Sequence, residues 1–180
     1  MHASGGAGYD TGMTAPLGEP DTGRVPVHTG EDLAVLLAEQ HGELREAWCR
    51  VPRLHAGARE DVFLHARRLL AVHVALEQVV LAPRLEVDEA GVSLGREVLA
   101  AEQEGLESLG FDAACARVAV AFLRHCAALD EVRLTGVLPD ADREAAAIAV
   151  ALWDGTGDAY LGNTWVEMRD TAIEQLAPRS

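Results

Sequence analysis

The chain has 180 residues, of which 49% are hydrophobic and 4% aromatic, and its formal net charge at pH 7 is −14. This length predicts one domain with a full hydrophobic core. The acidic balance argues against binding to nucleic acid or to anionic membrane surfaces, because both need a basic face.

The remaining global features predict a cytoplasmic protein. No stretch reaches the length of an apolar transmembrane helix, and the first residues lack the basic and apolar regions of a secretory signal. Cys49, Cys115 and Cys126 are odd in number, far apart and outside any C-x-x-C motif. Such cysteines are typical of reduced thiols.

The first helix is predicted to begin at Thr29, after a tail (1–28) whose glycine, proline and threonine content predicts disorder. Thr29 and Asp32 have the spacing of a capping box, and Pro52 favours a helix end just before it. The apolar face of this helix includes His41. The other residues of that face are Leu33, Leu37, Leu44 and Trp48.

A second helix is predicted over residues 62–85, with His73 and Glu77 inside its apolar stripe. Positions i and i+4 differ by only about 40° around a helix, so both side chains point into the core. A buried carboxylate is costly unless something compensates it. Either a hydrogen-bonded His/Glu pair or a metal ion held from one helix would do so.

The third helix is predicted over residues 94–109, following a loop over 87–95. Its apolar face places Gln103 at a core position, and the flanking glutamates at 102, 104 and 107 form a solvated face. The preceding loop contains Gly91-Val-Ser93-Leu-Gly95, which matches the G-x-S-x-G motif of serine hydrolases. That motif needs a preceding strand, and no strand pattern is present, so a hydrolase stays a distant alternative.

The fourth helix is predicted over residues 112–134, and His125 lies in its apolar seam. Asp130 follows His125 by five residues, about 140° around an ideal helix. It would face inward only if a π-bulge widened that turn. Two further helices are predicted over 142–153, with Asp140 as N-cap, and from Thr164, with Glu167 completing a capping box.

These elements predict an all-α fold, an antiparallel up-down four-helix bundle over 29–139 with one or two extra helices in a C-terminal extension over 140–180. Three of the four bundle helices carry an inward histidine: His41, His73 and His125. Together with Glu77 they form a set of nitrogen and carboxylate groups that suits iron, zinc or manganese.

Residues 32–138 resemble the hemerythrin-like, or HHE cation-binding, domain family. The resemblance is carried by EQHGELREAW (39–48), by LLAVHVALEQVVLAPRL (69–85), and by AEQEGLESLG (101–110) with FLRHCAALDEVRL (122–134). It implies a four-helix bundle around a non-haem iron pair, with histidine ligands and bridging carboxylates. Members of the family bind, sense or act on O2, nitric oxide or peroxide.

The sequence departs from the family pattern at three positions. Gln103 stands where the third helix usually has a histidine, Leu129 where the fourth helix usually has a glutamate, and Thr135 where a proline is usual. Asp130 occupies the position of the fourth-helix carboxylate of oxygen-carrying hemerythrins, and Glu107 is a substitute of lower rank. The expected metal ligands are His41, His73, Glu77, Gln103, His125 and Asp130.

Two functions are therefore expected. The first is a metal-binding protein that holds iron, as a pair or a single ion, and takes O2, nitric oxide or peroxide at an open position, without being assigned as an enzyme. The second is a degenerate bundle without metal that acts as a scaffold or protein-interaction module, in which buried polar groups satisfy one another by hydrogen bonds.

Overall fold

In a computed structural model of the chain, residues 26–84, 89–130, 132–155 and 162–178 are described, and these residues are all-helical. They form six α-helices: α1 (Gly30–Arg50), α2 (Ala56–Leu76), α3 (Glu89–Glu102), α4 (Leu109–Asp130), α5 (Asp140–Trp153) and α6 (Trp165–Leu176). Within the described residues, each helix is too short or too polar to traverse a lipid bilayer. Residues 1–25 of the tail predicted to be disordered lie outside the described residues.

The start of α1 confirms the predicted capping box. The Thr29 hydroxyl accepts a hydrogen bond from the backbone N–H of Asp32, and the Asp32 carboxylate accepts one from the backbone N–H of Thr29. The helix ends at Arg50, and a 3₁₀ turn, Val51–Arg53, contains the proline that ends it. One face of α1 is buried, including the predicted His41.

The C-terminal part of α2 is enclosed by the rest of the protein. Every residue from Leu69 to Glu77 is buried, whereas a helix at a protein surface has one exposed face. Helix α2 contacts α1, α5 and α6. This position makes α2 the helix on which the inner side chains of the other elements converge.

A π-helical turn, Glu77–Leu81, follows α2 directly, and a 3₁₀ turn, Ala82–Arg84, follows that. The N–H of Ala82 donates to the carbonyl of Glu77, five residues earlier. From the sequence, a π-bulge is considered only in the fourth helix, where it would turn Asp130 inward. Its actual position is of interest because π-bulges are frequent at functional sites.

The predicted bounds of the third helix are wrong. Helix α3 begins at Glu89, so Gly91–Gly95 is helical rather than a loop, and it ends at Glu102. The chain then turns, with the N–H of Ser108 donating to the carbonyl of Gly105, and the Ser108 hydroxyl accepts from the N–H of Phe111 to start α4. Gly105 and Ser108 thus form a turn between α3 and α4, at a point where the leucine spacing predicts that the third helix continues.

Of the two predicted N-terminal caps of the C-terminal helices, one is wrong and one is confirmed. The prediction of Asp140 as N-cap is wrong, because Pro139 precedes α5 as its cap and Asp140 is the first helical residue. The predicted capping box of Thr164 and Glu167 at the start of α6 is confirmed. Helix α6 lies along α2 and touches α3, where the ring of Trp165 packs against Gly95.

Further helix contacts join α1, α3 and α4. Helix α3 lies along α4, and α1 contacts both α2 and α4. The segment after α4 returns to the start of α1, where Gly30 donates to the carbonyl of Gly136 and a β-bridge joins Thr29 to Val137. A side chain at position 30 would collide with the backbone of Leu134 and Thr135.

Candidate metal centre

Four buried side chains from α1, α2, the π-helical turn and α4 converge at one point. They are His41, His73, Glu77 and His125, and their ligand atoms all lie within 4.8 Å of one another. His73 and Glu77 are one turn apart on the same face of the chain, as their spacing predicts. We refer to these four residues as the His/Glu cluster.

Four of the distances within the His/Glu cluster are close to those expected of ligands around one ion, and the remaining separations are within 4.8 Å. His73 Nε2 lies 3.2 Å from His41 Nε2, 3.4 Å from His125 Nε2 and 2.9 Å from Glu77 Oε1. His125 Nε2 lies 3.1 Å from the Glu77 carboxylate. Four ligands placed tetrahedrally at metal bond lengths of about 2.0–2.1 Å are about 3.3 Å apart.

Gln40 fixes the orientation of the central imidazole. Its Oε1 lies 2.9 Å from Nδ1 of His73, and both residues are fully buried. A carbonyl oxygen only accepts, so Nδ1 carries a proton and donates it to Gln40. In the neutral ring, the lone pair is then on Nε2, the atom that faces the cluster, which is the tautomer that a supporting carbonyl group sets in metal-binding histidines.

Hydrogen bonds alone cannot satisfy all the contacts among the four side chains of the cluster. A ring nitrogen carries at most one proton, yet His73 Nε2 faces two imidazole nitrogens and a carboxylate oxygen. If His73 and His125 donate to Glu77, the contact between His41 Nε2 and His73 Nε2 is left unmatched. A cation at the centre of the cluster would match all four groups at once.

The local electrostatics keep two residues of the cluster, Glu77 and His41, in protonation states that suit metal binding. Burial raises the pKa of Glu77, but the charges and hydrogen bonds of His73 and His125 outweigh it and hold that pKa at about 2. Burial, together with the charge of His73, lowers the pKa of His41 to about 4. At neutral pH the carboxylate is therefore ionised and His41 is neutral, as ligands must be.

An aromatic ring closes one side of the His/Glu cluster. The ring of Phe122 lies with its centroid 5.8 Å from that of His41 and 6.2 Å from that of His125. Phe122 is buried and precedes His125 by nearly one turn of α4. An apolar wall excludes water and strengthens electrostatic interactions between the buried groups.

Two of the other candidates, Gln103 and Glu107, lie outside the cluster. Gln103 lies in the exposed turn after α3, so its predicted core position is wrong, because α3 ends one residue before it. Asp130 is the last residue of α4, and its side chain lies outside the described residues. Glu107 is exposed in the same turn as Gln103.

Glu102 and Leu129 are two further positions of interest, because the first was predicted on a solvated face and the second replaces the glutamate of the family pattern. Glu102 was expected on a solvated face, but its carboxylate pairs with the buried guanidinium of Arg67 and accepts from the N–H of Trp165 at 2.6 Å. Leu129 is half-buried on α4 and lines a cavity that it shares with Glu77. It packs against the core and offers no ligand atom.

Sequence reasoning missed Gln40. Residues 33, 37, 40 and 44 are spaced four, three and four, so the helical repeat that singles out Leu33, Leu37 and Leu44 also contains Gln40. A polar residue on the apolar face of a helix, next to a candidate ligand such as His41, indicates a residue that could hydrogen-bond to a ligand.

The serine-hydrolase alternative has no structural support in the described residues. Ser93 lies within α3, and the described part of the chain contains an isolated β-bridge but no strand from which a nucleophile could be raised. The hydrolase interpretation of this motif is therefore wrong.

Comparison with known proteins identifies no relative, so a function can be assigned only from the geometry of the His/Glu cluster. The chain matches no family model, no curated protein and no solved structure.

Proposed function

We propose that the His/Glu cluster binds one first-row transition-metal ion, and that this ion is iron. The observation that carries the proposal is the convergence of three imidazole nitrogens and one carboxylate within 4.8 Å, in a buried site where hydrogen bonding alone leaves a contact unmatched. Imidazole and carboxylate ligands together suit iron, zinc and manganese.

The resemblance of the first two helices to hemerythrin-like domains favours iron among these metals. It also supports arranging α1 to α4 as the four-helix bundle of that family: α1 contacts α2 and α4, and α3 lies along α4, but α2 packs most extensively against α6. When bound, a four-ligated iron would supply an open position for O2, nitric oxide or peroxide. The role of the protein residues is to hold the ion, keep water out and orient His73 through Gln40.

The ligand count favours a single ion over a pair. Within the described residues, the cluster is the one group of three or more histidine, cysteine or carboxylate side chains close enough to share an ion. Gln103 is exposed, and Leu129 cannot ligate. Two ions would need more ligands and a second bridging carboxylate than these residues provide.

A metal-free scaffold is the second candidate, and one observation favours it. The Glu77 carboxylate is within hydrogen-bonding distance of both His73 and His125, so protonated imidazoles could hold it in the core without a metal. In that case the cluster would be a structural ion pair, and the function would lie in partner binding.

Titration of metal-free protein with Fe(II) under anaerobic conditions distinguishes the two candidates. We expect saturation at one ion per chain, followed by a new optical absorption on exposure to nitric oxide, because a ligand position is open. The scaffold candidate predicts no saturable binding and an unchanged spectrum.

A matched pair of variants shows whether the cluster is the binding site. His125→Ala removes one ligand, whereas His65→Ala removes an exposed histidine from α2 outside the cluster. Loss of Fe(II) binding in the first variant only would support the proposal. Equal binding in both would contradict it, provided that circular dichroism shows both variants to be helical.

A further inference from the structure

A cavity of about 540 Å³ leads from the surface to the His/Glu cluster. It is bounded by the end of α2, the π-helical turn, α3, α4 and α6. Its wall is predominantly apolar, formed by Val74, Leu81, Val92, Leu99, Leu129 and Trp165. Its volume is in the range of binding sites for small organic molecules, and far exceeds what a diatomic gas needs.

The cavity reaches the cluster at Glu77, the one cluster residue in its wall. The Glu77 side chain is 11% exposed, whereas the side chain of His73 is 0% and that of His125 is 1% exposed. Access to a bound ion would therefore come from the Glu77 side. Leu129 is also part of the cavity wall and contributes an apolar side chain to it.

Two arginines, Arg96 and Arg169, line the cavity in a protein of net charge −14. Arg96 is an exposed residue of α3 in the cavity wall, and among the described residues it has no ion pair. Arg169 also lines the cavity, but Asp170 pairs with its guanidinium, which lies over the ring of Trp165 at 5.1 Å. Within the described residues, Arg96 is thus the cation of the wall that can pair with an anionic ligand.

Two apolar side chains in the wall are exposed to solvent. Val92 is 66% exposed and Leu99 is 36% exposed, and both lie on α3 in the wall of the cavity. Exposed apolar side chains that line a concave site are typical of surfaces covered by a ligand.

We infer that this cavity binds an amphipathic carboxylate, with an apolar chain of about ten carbons directed inward and its carboxylate paired with Arg96. The inference rests on the proposed function for one step, that the inner end of the ligand approaches an ion at Glu77. It adds an organic ligand to a site otherwise expected to take only small oxygen- or nitrogen-containing molecules.

Calorimetric titration of metal-free protein with decanoate and with decanol, both below micelle-forming concentration, tests the ligand class independently of the metal. We expect saturable binding of decanoate at one site, at least about tenfold tighter than decanol, because only the carboxylate pairs with Arg96. Equal affinities would overturn the assignment of an anionic ligand, and absence of binding in both metal-free and iron-loaded protein would overturn the inference as a whole.

Two pairs of variants locate the ligand. Leu99→Trp fills the cavity and should weaken decanoate binding at least about tenfold, whereas Leu123→Trp, at an exposed position outside the cavity, should not. Arg96→Gln should weaken decanoate about tenfold and leave decanol unchanged, with Arg50→Gln as the control for an exposed arginine elsewhere. Binding that neither Leu99→Trp nor Arg96→Gln weakens lies elsewhere and contradicts the inference.

A second readout separates this inference from the proposed function. In iron-loaded protein, decanoate should change the optical spectrum of the nitric oxide adduct, and Leu99→Trp should abolish that change. If the protein binds no iron yet binds decanoate in the cavity, the proposed function fails while the ligand class stands. If iron binds and the adduct is indifferent to bound decanoate, the cavity does not lead to the ion, and the inference fails.

Discussion

Two groups of buried polar side chains lie along α2, and they are built differently. Near its first half, Arg59 donates to backbone carbonyls that include that of Leu106, and Arg67 donates to the Glu102 carboxylate and the carbonyl of Asn163. Apart from Nε of Arg67, each of these guanidinium nitrogens has an acceptor. Donors there are matched to acceptors.

At the other end of α2, the His/Glu cluster brings like groups together. Its imidazole nitrogens face one another at 3.2 and 3.4 Å beside a carboxylate. Buried polar side chains alone therefore do not indicate a ligand site. Matched donors and acceptors join helices, whereas converging acceptors leave a place for a cation.

The largest expected effect is loss of metal binding in His73→Ala. His73 Nε2 contacts each of the other three cluster residues, so we expect Fe(II) affinity to fall by more than about 100-fold, beyond the loss typical of supporting residues. Equilibrium competition with a chelator measures the change. His65→Ala, on the same helix but exposed, should retain full affinity, and a similar loss in both variants would remove the distinction between the cluster and the surface.

Arg67→Ala should show the opposite behaviour, a loss of stability without a change in metal stoichiometry. It leaves the largely buried Glu102 carboxylate without its cation, and we expect the free energy of unfolding to fall by about 3–5 kcal/mol. Urea denaturation measures the change. Arg143→Ala breaks an exposed pair with Asp140 and should cost less than about 1 kcal/mol. Comparable losses in the two variants would mean that burial of the Arg67 pair has no consequence.

Gln40→Leu tests the supporting residue that sequence reasoning missed. Without its carbonyl, Nδ1 of His73 loses its acceptor, so we expect Fe(II) affinity to fall by about 10–100-fold while one ion per chain still binds. Gln103→Leu is the matched control, because Gln103 was predicted as a ligand but is exposed. An affinity loss in Gln103→Leu and none in Gln40→Leu would reverse the assignment made here.

The metal-free protein should become less stable as the pH falls below about 6.5. In that range the unfolded chain protonates His41 at its ordinary pKa of 6.5, whereas the folded protein does so only near pH 4, so protons favour the unfolded state. Glu77 continues the loss from its ordinary pKa of 4.5 towards about 2. Thermal denaturation across this range measures the trend. His41→Gln should flatten the part between pH 6.5 and 4, and an unchanged slope would show that His41 does not cause it.

The smallest effect is expected for Leu129→Glu. A carboxylate at this position in the cavity wall beside Glu77 would restore the glutamate expected from the hemerythrin-like pattern. We expect iron affinity to rise by less than about tenfold, with the stoichiometry still one ion per chain, because the described residues provide no further ligands. Metal analysis after gel filtration checks both values. Iron occupancy at background in wild type and variant alike would favour the scaffold.

The features that the sequence predicted correctly depend on residues close together in the chain. The capping boxes at Thr29 and Thr164 depend on residues three apart, and both are in the structure as predicted. The helical repeat alone placed His41, His73 and His125 on inner faces, and the structure brings them together with Glu77. These predictions need no knowledge of how distant parts of the chain pack.

The errors arise where a local pattern is ambiguous or tertiary packing decides. The leucine repeat continues past Glu102, but Gly105 and Ser108 form a turn, so Gln103 is exposed. The packing of α6 along α2 depends on contacts between distant residues, which no local periodicity encodes. The π-helical turn at Glu77 has no signal in the apolar spacing of the second helix.

Metal analysis combined with iron K-edge X-ray absorption, on the full chain loaded anaerobically with Fe(II), tests the proposed metal centre most directly. We expect one iron per chain, with nitrogen and oxygen ligands at about 2.0–2.2 Å, the outer scattering of imidazole rings and no iron–iron distance. A folded protein that retains no iron, or iron without imidazole ligands, would contradict the claim that the His/Glu cluster is a metal centre.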